Sequence, residues 1–297
     1  MSPSDAVPSA SPSIDLLVDL LDLEPLEVNI YRGANRDLGS GRVFGGQVFA
    51  QALVAARRTV DEPREAHSAH GYFILPGDLN APIVYFVDRL RDGNSFTTRR
   101  VTAIQHGRAI FNLSASFHVV EEGLTHQMHD RPTVPPPESL TPELELIRRR
   151  AEKIPDALRD VLTQDRPIDF RPVAPVDPFA PDPREPVRHT WFRATSALSD
   201  EPIVHQAVLA YASDHSLITT ALYPHGVSFR TPGMQLASLD HSVWLHRPFR
   251  ADEWLLYTID SPIASGARGF SRGAIYTRDG TLVASVAQEG LIRLRTS

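Results

Sequence analysis

The sequence predicts an α+β protein whose second half repeats the architecture of its first. Three observations point there. Each half holds one apolar, helix-like segment followed by strand-like segments rich in Val, Ile, Phe, Tyr and Thr. The halves match at several places in the same order. A proline-rich stretch separates them.

The elements follow in order. Residues 1–13, MSPSDAVPSASPS, read as a disordered tail of Ser, Pro and Ala. They have neither the basic nor the hydrophobic region of a secretory signal. Residues 14–127 form the first unit. It opens with IDLLVDLLDL, whose leucines fall at helical spacing after Ser13 as N-cap. VNIYRGANR is β-like, and DLGSGRVFGGQ is a glycine-rich turn into the helix VFAQALVAARRTV. Val48, Ala52, Leu53 and Ala56 give that helix a buried face, and its small residues suit close approach to a curved sheet. AHSAHGYFIL, PIVYFVDRLR, FTTRRVTAIQ and AIFNLSASFHVV then form an antiparallel meander with Gly and Asp turns.

Residues 128–188 are the linker, extended in RPTVPPPE and PVDPFAPDPREP. Pro142 and Glu143 start a helix over LELIRRRAEKI, with Pro155 as a break or restart. Residues 189–297 form the second unit: β-like HTWFRA, helical IVHQAVLAYASDHSLITTALY, then four strand segments.

Composition narrows the functions. A net charge of −6 over 297 residues argues against a general nucleic-acid binder, yet permits an anionic small ligand held by local arginines. The absence of cysteine excludes disulfides, thiolate nucleophiles, Fe–S clusters and cysteine zinc sites. No apolar run approaches the roughly 18 residues of a membrane span. The cytoplasm is the expected compartment, with no membrane insertion. The histidines lack the paired spacing of a zinc helix, so neither metal nor cofactor is expected.

Four matches carry the repeat. IYR at 30–32 matches WFR at 191–193; GGQVFAQAL at 45–53 matches DHSLITTAL at 214–222; His70 matches His241; Gly107 matches Gly280. Two such sheets can join edge to edge, which hides their edges and leaves equivalent crevices between the halves. The same alignment sets Asp214 against Gly45, Gln288 against Ala115 and Ser238 against His67. The second copy therefore holds a carboxylate, a hydroxyl and a carboxamide that the first lacks. Taken singly, each has an ordinary reading: a helix cap for Asp214, a strand-surface hydroxyl for Ser238, an exposed amide for Gln288.

From about Leu16 to Arg295 the chain resembles the acyl-CoA thioesterase II family. The resemblance rests on RVFGGQVFAQAL, HSAHGYFILPGD, RDGNSFTTRRV, LAYASDHSL, LDHSVWLHRPF, EWLLYTIDSP, GARGFSRGAIYTRDG and VAQEG. It implies a double hot-dog fold, two tandem repeats of a long central helix wrapped by an antiparallel β-sheet. It also implies hydrolysis of acyl-CoA to fatty acid and CoA by a water held by an Asp, a Thr or Ser, and a Gln. Those roles fall on Asp214 of YASDHS, Ser238 of LASLDH and Gln288 of VAQEG. Serine in place of threonine keeps the hydroxyl and loses the methyl that restricts its rotation.

With acyl-CoA as substrate, helix-start N–H groups near Asp214 are expected to stabilise the oxyanion. Arg268 and Arg272, with Arg247 and Arg250 near by, are candidates for the CoA phosphates. Phe49, Leu217 and Ile218 are candidates for an acyl tunnel along the helices, although core packing suits them equally. Whether His67 reaches the site is open at this stage. Two other readings stand beside hydrolysis. Hydration or dehydration on the same fold wants an Asp and a His a few residues apart, whereas Asp214 and His215 are adjacent. A non-catalytic acyl-CoA sensor would usually add a DNA-binding module, and no basic helix-turn-helix segment is evident. Association into a homo-oligomer, a dimer or tetramer of the double unit, is compatible with the fold.

Overall fold

The computed structural model describes residues 12–39 and 41–295, the side chains of Pro12 and Ser13 excepted. The predicted tail falls outside these residues, apart from Pro12 and Ser13, which open helix α1 (Pro12–Leu21). The capping role given to Ser13 rests on a side chain outside the description. Helix α1 buries Ile14, Leu17, Leu20 and Leu21, the leucine stripe seen in the sequence. A short hairpin follows, β1 (Glu24–Glu27) and β2 (Ile30–Gly33), and then helix α2 (Gly45–Arg57). The meander is β3 (Arg64–Phe73), β4 (Ile83–Asp92), β5 (Phe96–Gln105) and β6 (Arg108–Val119).

The linker holds helices α3 (Glu143–Arg148) and α4 (Asp156–Thr163), with Pro155 as the N-cap of α4. It also holds a strand that periodicity did not reveal, β7 (Ile168–Pro172), which pairs with β8 (Val187–Ala194). Helix α5 (Pro202–Ser213) and a 3-10 segment (Ile218–His225) lead to β9 (Met234–Ser238), β10 (Asp240–Leu245), β11 (Leu255–Ser265), β12 (Arg268–Thr277) and β13 (Leu282–Leu294).

The strands form one thirteen-stranded sheet in the order β1-β2-β4-β5-β6-β3-β10-β13-β12-β11-β8-β7, with β9 on β13. The halves join where β3 runs antiparallel to β10, with Gly71 opposite His241 and His70 opposite Ser242. Inside the curve, α2 and α5 pack on each other. Helix α2 is buried from Gly46 through Leu53, which explains why it is built of Gly, Ala and Val as well as Phe49. One continuous core runs through both halves, from Phe49, Phe111 and Phe117 to Val208, Leu209 and Tyr257.

Two sequence matches are corrected here. The predicted second-half helix is two pieces, because Ser216 takes the left-handed conformation (φ 62°) and α5 stops at Ser213. Asp214 is therefore the C-cap of α5 and does not open a helix. The central helices align start to start at Gly45 and Pro202, so Asp214 and Gly45 are not equivalent. The second correction concerns the histidines. His241 is fully buried while His70 lies on the exposed face of β3, so they occupy opposite faces of the sheet. Ala69, which pairs with Ala115 on β6, takes the place in the first half that His241 takes in the second.

The linker is tied down beside the end of α5. Glu143 of α3 meets His215 Nε2 at 2.9 Å, Arg188 Nη2 at 3.2 Å and Arg166 Nη1 at 3.6 Å. The His215 ring stacks on Phe170 of β7 with centroids 4.0 Å apart. Burial raises the Glu143 pKa, but the His215 and arginine charges outweigh it and hold the carboxyl well below the usual range. A carboxylate so depressed adds stability above the pKa of an unfolded glutamate, and loses it as pH falls toward the folded value. Glu143→Ala is expected to cost about 2 kcal/mol in urea unfolding at neutral pH. The gap from wild type is expected to narrow as pH falls below about 4; a gap independent of pH would contradict the assignment.

Candidate active site

Helices α2 and α5 lie so that the end of one meets the start of the other. A Cβ on Gly46 would fall 2.4 Å from the carbonyl oxygen of Tyr211, so α2 starts with glycine where α5 crowds it. A Cβ on Gly45 would fall 2.8 Å from Asp214 Oδ2 and 2.9 Å from the Phe73 ring. The carboxylate at the end of one half thus faces the first turn of the other half's helix. No side chain caps that turn. Its first N–H groups have no intrahelical acceptor and point out along the helix axis, at its positive end.

Gln288 of β13 reaches the same carboxylate. Its Nε2 donates to Asp214 Oδ1 at 2.6 Å and lies 3.2 Å from His241 Nδ1. The other ring nitrogen, His241 Nε2, is 2.8 Å from Ser213 Oγ, and that hydroxyl donates to the Ala210 carbonyl. The proton positions follow. Ser213 spends its proton on Ala210, so His241 Nε2 carries a hydrogen and Nδ1 is left to accept from Gln288. Burial pushes the His241 pKa down, against the opposing pull of the Asp214 charge, which favours this neutral tautomer. The Tyr257 hydroxyl donates to the Ser213 carbonyl at 2.8 Å and fixes the end of α5. Burial raises the Tyr257 pKa well above its ordinary value, so it remains a donor.

With both amide hydrogens of Gln288 committed, its Oε1 is buried and without a partner among the described residues. The same holds for Ser271 Oγ, directly across from Gln288 on β12. Buried polar atoms are rarely left so, and two facing each other across adjacent strands leave hydrogen-bonding capacity at this place.

Ser238 pairs with Gly290, two residues beyond Gln288 on β13, and so shares the inner face with it. Its hydroxyl makes no hydrogen bond to Asp214 or Gln288. Asp214 and Gln288 are therefore brought together directly, and Ser238 is brought one pleat away. His215 is not: it turns to Glu143 and Phe170, which takes away the Asp–His pair that hydration would need. His67 bonds Ser116 Oγ and stays apart from the site.

The four candidate arginines have partners within the chain. Arg268 and Arg272 alternate with the buried Gly269 and Ser271, so they lie on the outer face of the sheet, away from Gln288. They are exposed and paired with Glu289 and Asp260. Arg247 is held by Gln127 and Thr125, and Arg250 by Asp200 and Asp252. Phe49 and Leu217 belong to the packed core, and Ile218 packs over Gly290. Among the described residues, no group of three or more His, Asp or Glu side chains is placed to hold a metal ion. None of their helices is long and apolar enough to cross a membrane.

The first half closes its own version of this place. Ala115 lies between Ala69 and Arg99, where Gln288 lies between His241 and Ser271. Arg99 is 1% exposed, bonded to Thr59 Oγ1 at 2.8 Å and to the Thr59 carbonyl at 2.9 Å, and paired with Asp92. A buried guanidinium occupies the space.

Residues 158–291 match the acyl-CoA thioesterase family, and residues 35–118 match the acyl-CoA thioesterase N-terminal domain. Acyl-CoA thioesterase 2 of Haemophilus influenzae is 42% identical over 277 residues, 93% of this chain and 96% of that one. The chain belongs to the acyl-CoA thioesterase II family. It is a thioester hydrolase of acyl-CoA. The crystal structure of an acyl-CoA thioesterase II from Mycobacterium marinum is 42% identical and superposes with a TM-score of 0.76, covering 94% of this chain and 99% of that one. A hot-dog-fold protein of unknown function from Alicyclobacillus acidocaldarius is 17% identical with a TM-score of 0.77, covering 95% and 99%. The fold is the double hot-dog of this family.

Sequence reasoning missed His241 as the neighbour of Gln288, Ser213 as the partner of His241, and Gly45 as the neighbour of Asp214. The signal for His241 was present in LDHS, three residues past Ser238. Thioesterase activity is expected to fall at least about 100-fold in Gly45→Ala, because even a displacement of about 1 Å costs that much in a positioned site. Thiol release and a thermal melt check it; wild-type turnover would mean that Asp214 needs no clearance there.

Proposed function

We propose that Asp214, Gln288 and Ser238 carry acyl-CoA hydrolysis by direct attack of water. Asp214 is the general base. Gln288 holds Asp214 Oδ1 and leaves Oδ2 toward the first turn of α2, where the water and the thioester carbonyl meet. The 2.6 Å bond between Gln288 and Asp214 at the junction of the halves is the observation that carries this reading. The water oxygen bonds to the carbonyl carbon and Asp214 takes a proton. The oxyanion is stabilised by N–H groups of the first turn of α2, which belongs to the first half. As the C–S bond breaks, the proton returns to sulfur, giving fatty acid and free CoA. Ser238 lies along the same face of the sheet and orients the water. The active site is thus shared between a first unit at 14–127 and a second at 189–297.

The acyl chain is assigned to a cavity of about 280 Å³ under the linker. His215, the neighbour of Asp214, lines it together with Leu146, Ile147, Phe179, Thr219 and Leu222. The lining is mostly apolar, although Glu143, Arg150, Arg166, Arg188 and Arg230 also contribute, and a mostly apolar cavity favours an apolar substituent. Thr219→Trp is expected to move the preference toward shorter acyl chains, seen in kcat/KM across an acyl-CoA series. An unchanged series would remove the cavity from the substrate path.

Free thiol released from acyl-CoA measures the chemistry directly, since the protein has no cysteine. Asp214→Asn and Gln288→Ala are expected to lower kcat by about 10²–10⁴, the range of a lost general base. Ser238→Ala is expected to lose less, about tenfold, the smaller effect of one orienting hydrogen bond. Folded Asp214 and Gln288 variants that turn over within a few-fold of wild type would overturn the reading.

A further inference from the structure

The reaction does not need His241, yet His241 is fully buried, lies at the centre of the site and is engaged at both ring nitrogens. We propose that His241 is a positioning residue: it fixes the Gln288 carboxamide in the one orientation that presents Nε2 to Asp214. The inference rests on the assignment of Gln288 to the reaction.

A carboxamide has two nearly isosteric orientations, and the Asp214 carboxylate already rejects the one that turns oxygen toward it. One bond leaves the amide plane free to turn about it; His241 takes the second hydrogen of the same nitrogen and fixes the plane. Its bare Nδ1 accepts the second Gln288 hydrogen; the flipped amide would turn its oxygen toward that lone pair. The tautomer is in turn set by Ser213, whose hydroxyl donates to Ala210 and so accepts from His241 Nε2. The ring plane is held by Phe49, edge-on with centroids 4.9 Å apart. The chain of contacts thus runs from the last turn of α5 through Ser213, His241 and Gln288 back to Asp214, the next residue. It closes a loop around the carboxylate. The first half has Ala69 and Ala115 at the matching places and no such loop.

Three substitutions test it, each with kcat and KM for one acyl-CoA and a thermal melt. His241→Asn keeps an acceptor at the position of Nδ1 and is expected to stay within about fivefold of wild-type kcat. His241→Gln carries its amide one atom further out, and His241→Leu removes the acceptor. Both are expected to lose 10- to 100-fold in kcat at unchanged KM. In the Gln288→Ala background, His241→Leu is expected to add nothing, because it acts through the missing amide. If Leu fails to fold, the Asn and Gln variants carry the comparison. Equal loss in Asn and Gln, a loss confined to KM, or a full additional loss in the double variant would overturn the proposal. Should Gln288→Ala itself remain active, the underlying site assignment fails instead, which this design separates.

Discussion

The hydrogen bond from Gln288 to Asp214 links the last strand of the chain to the end of its second central helix, under the first turn of its first central helix. That bond requires three things at once. Helix α5 must end at Ser213, α2 must begin with residues lacking a Cβ, and β10 must pair with β13 so that His241 lies beside Gln288. A hydrogen bond to a charged partner is worth about 1.5–3 kcal/mol, small beside the core. Its importance is directional: it sets which carboxylate oxygen is spent and which faces the other half. Burial of Phe49 and its neighbours pays for that precision.

Duplication explains why the site is single. The two halves present the same backbone at corresponding places, and three pairs of side chains decide between them. Ser271, His241 and Gln288 leave polar atoms at the second place, two of them unpartnered. Arg99, Ala69 and Ala115 fill or blank the first, and Thr59 and Asp92 satisfy the arginine. Leaving Arg99 unpaired in that interior would cost several kcal/mol, so the closed copy is held shut by its own hydrogen bonds. On the proposed reading the open copy uses the helix start of the closed one, and each half supplies part of the site.

Much of this was legible in the sequence. Runs rich in Val, Ile, Phe, Tyr and Thr, bounded by Gly and Asp turns, placed the eight long strands of the two meanders, although consecutive buried residues interrupt the alternation in β3, β11, β12 and β13. The family motifs pointed to Asp214 and Gln288, which the structure joins by a hydrogen bond, and to Ser238, which it leaves one pleat away. What failed has physical causes. Matching His70 with His241 compared residue types without comparing faces, and a single-residue change of register reverses the face. The apolar run 203–223 gave no sign of the left-handed Ser216 that ends α5. Strand β7 sits in a proline-rich stretch, and its pairing with β8 is decided by contacts distant in sequence. Nor did the sequence show that Arg268 and Arg272 face outward beside Glu289 and Asp260. Gly45 was noticed only as a residue opposite Asp214 in an alignment; the closeness is real, but it comes from antiparallel helices and not from equivalence.

On the proposed reading Asp214 delivers water and does not itself attack. A single turnover in H₂¹⁸O, with enzyme in excess over acyl-CoA, tests for attack of water on an acylated Asp214 carboxyl. Direct attack predicts one ¹⁸O in the released fatty acid and none in the peptide containing Asp214, read by mass spectrometry. Unlabelled fatty acid from that first turnover, with ¹⁸O in the Asp214 carboxyl, would mean an acyl-aspartyl intermediate and would contradict the account.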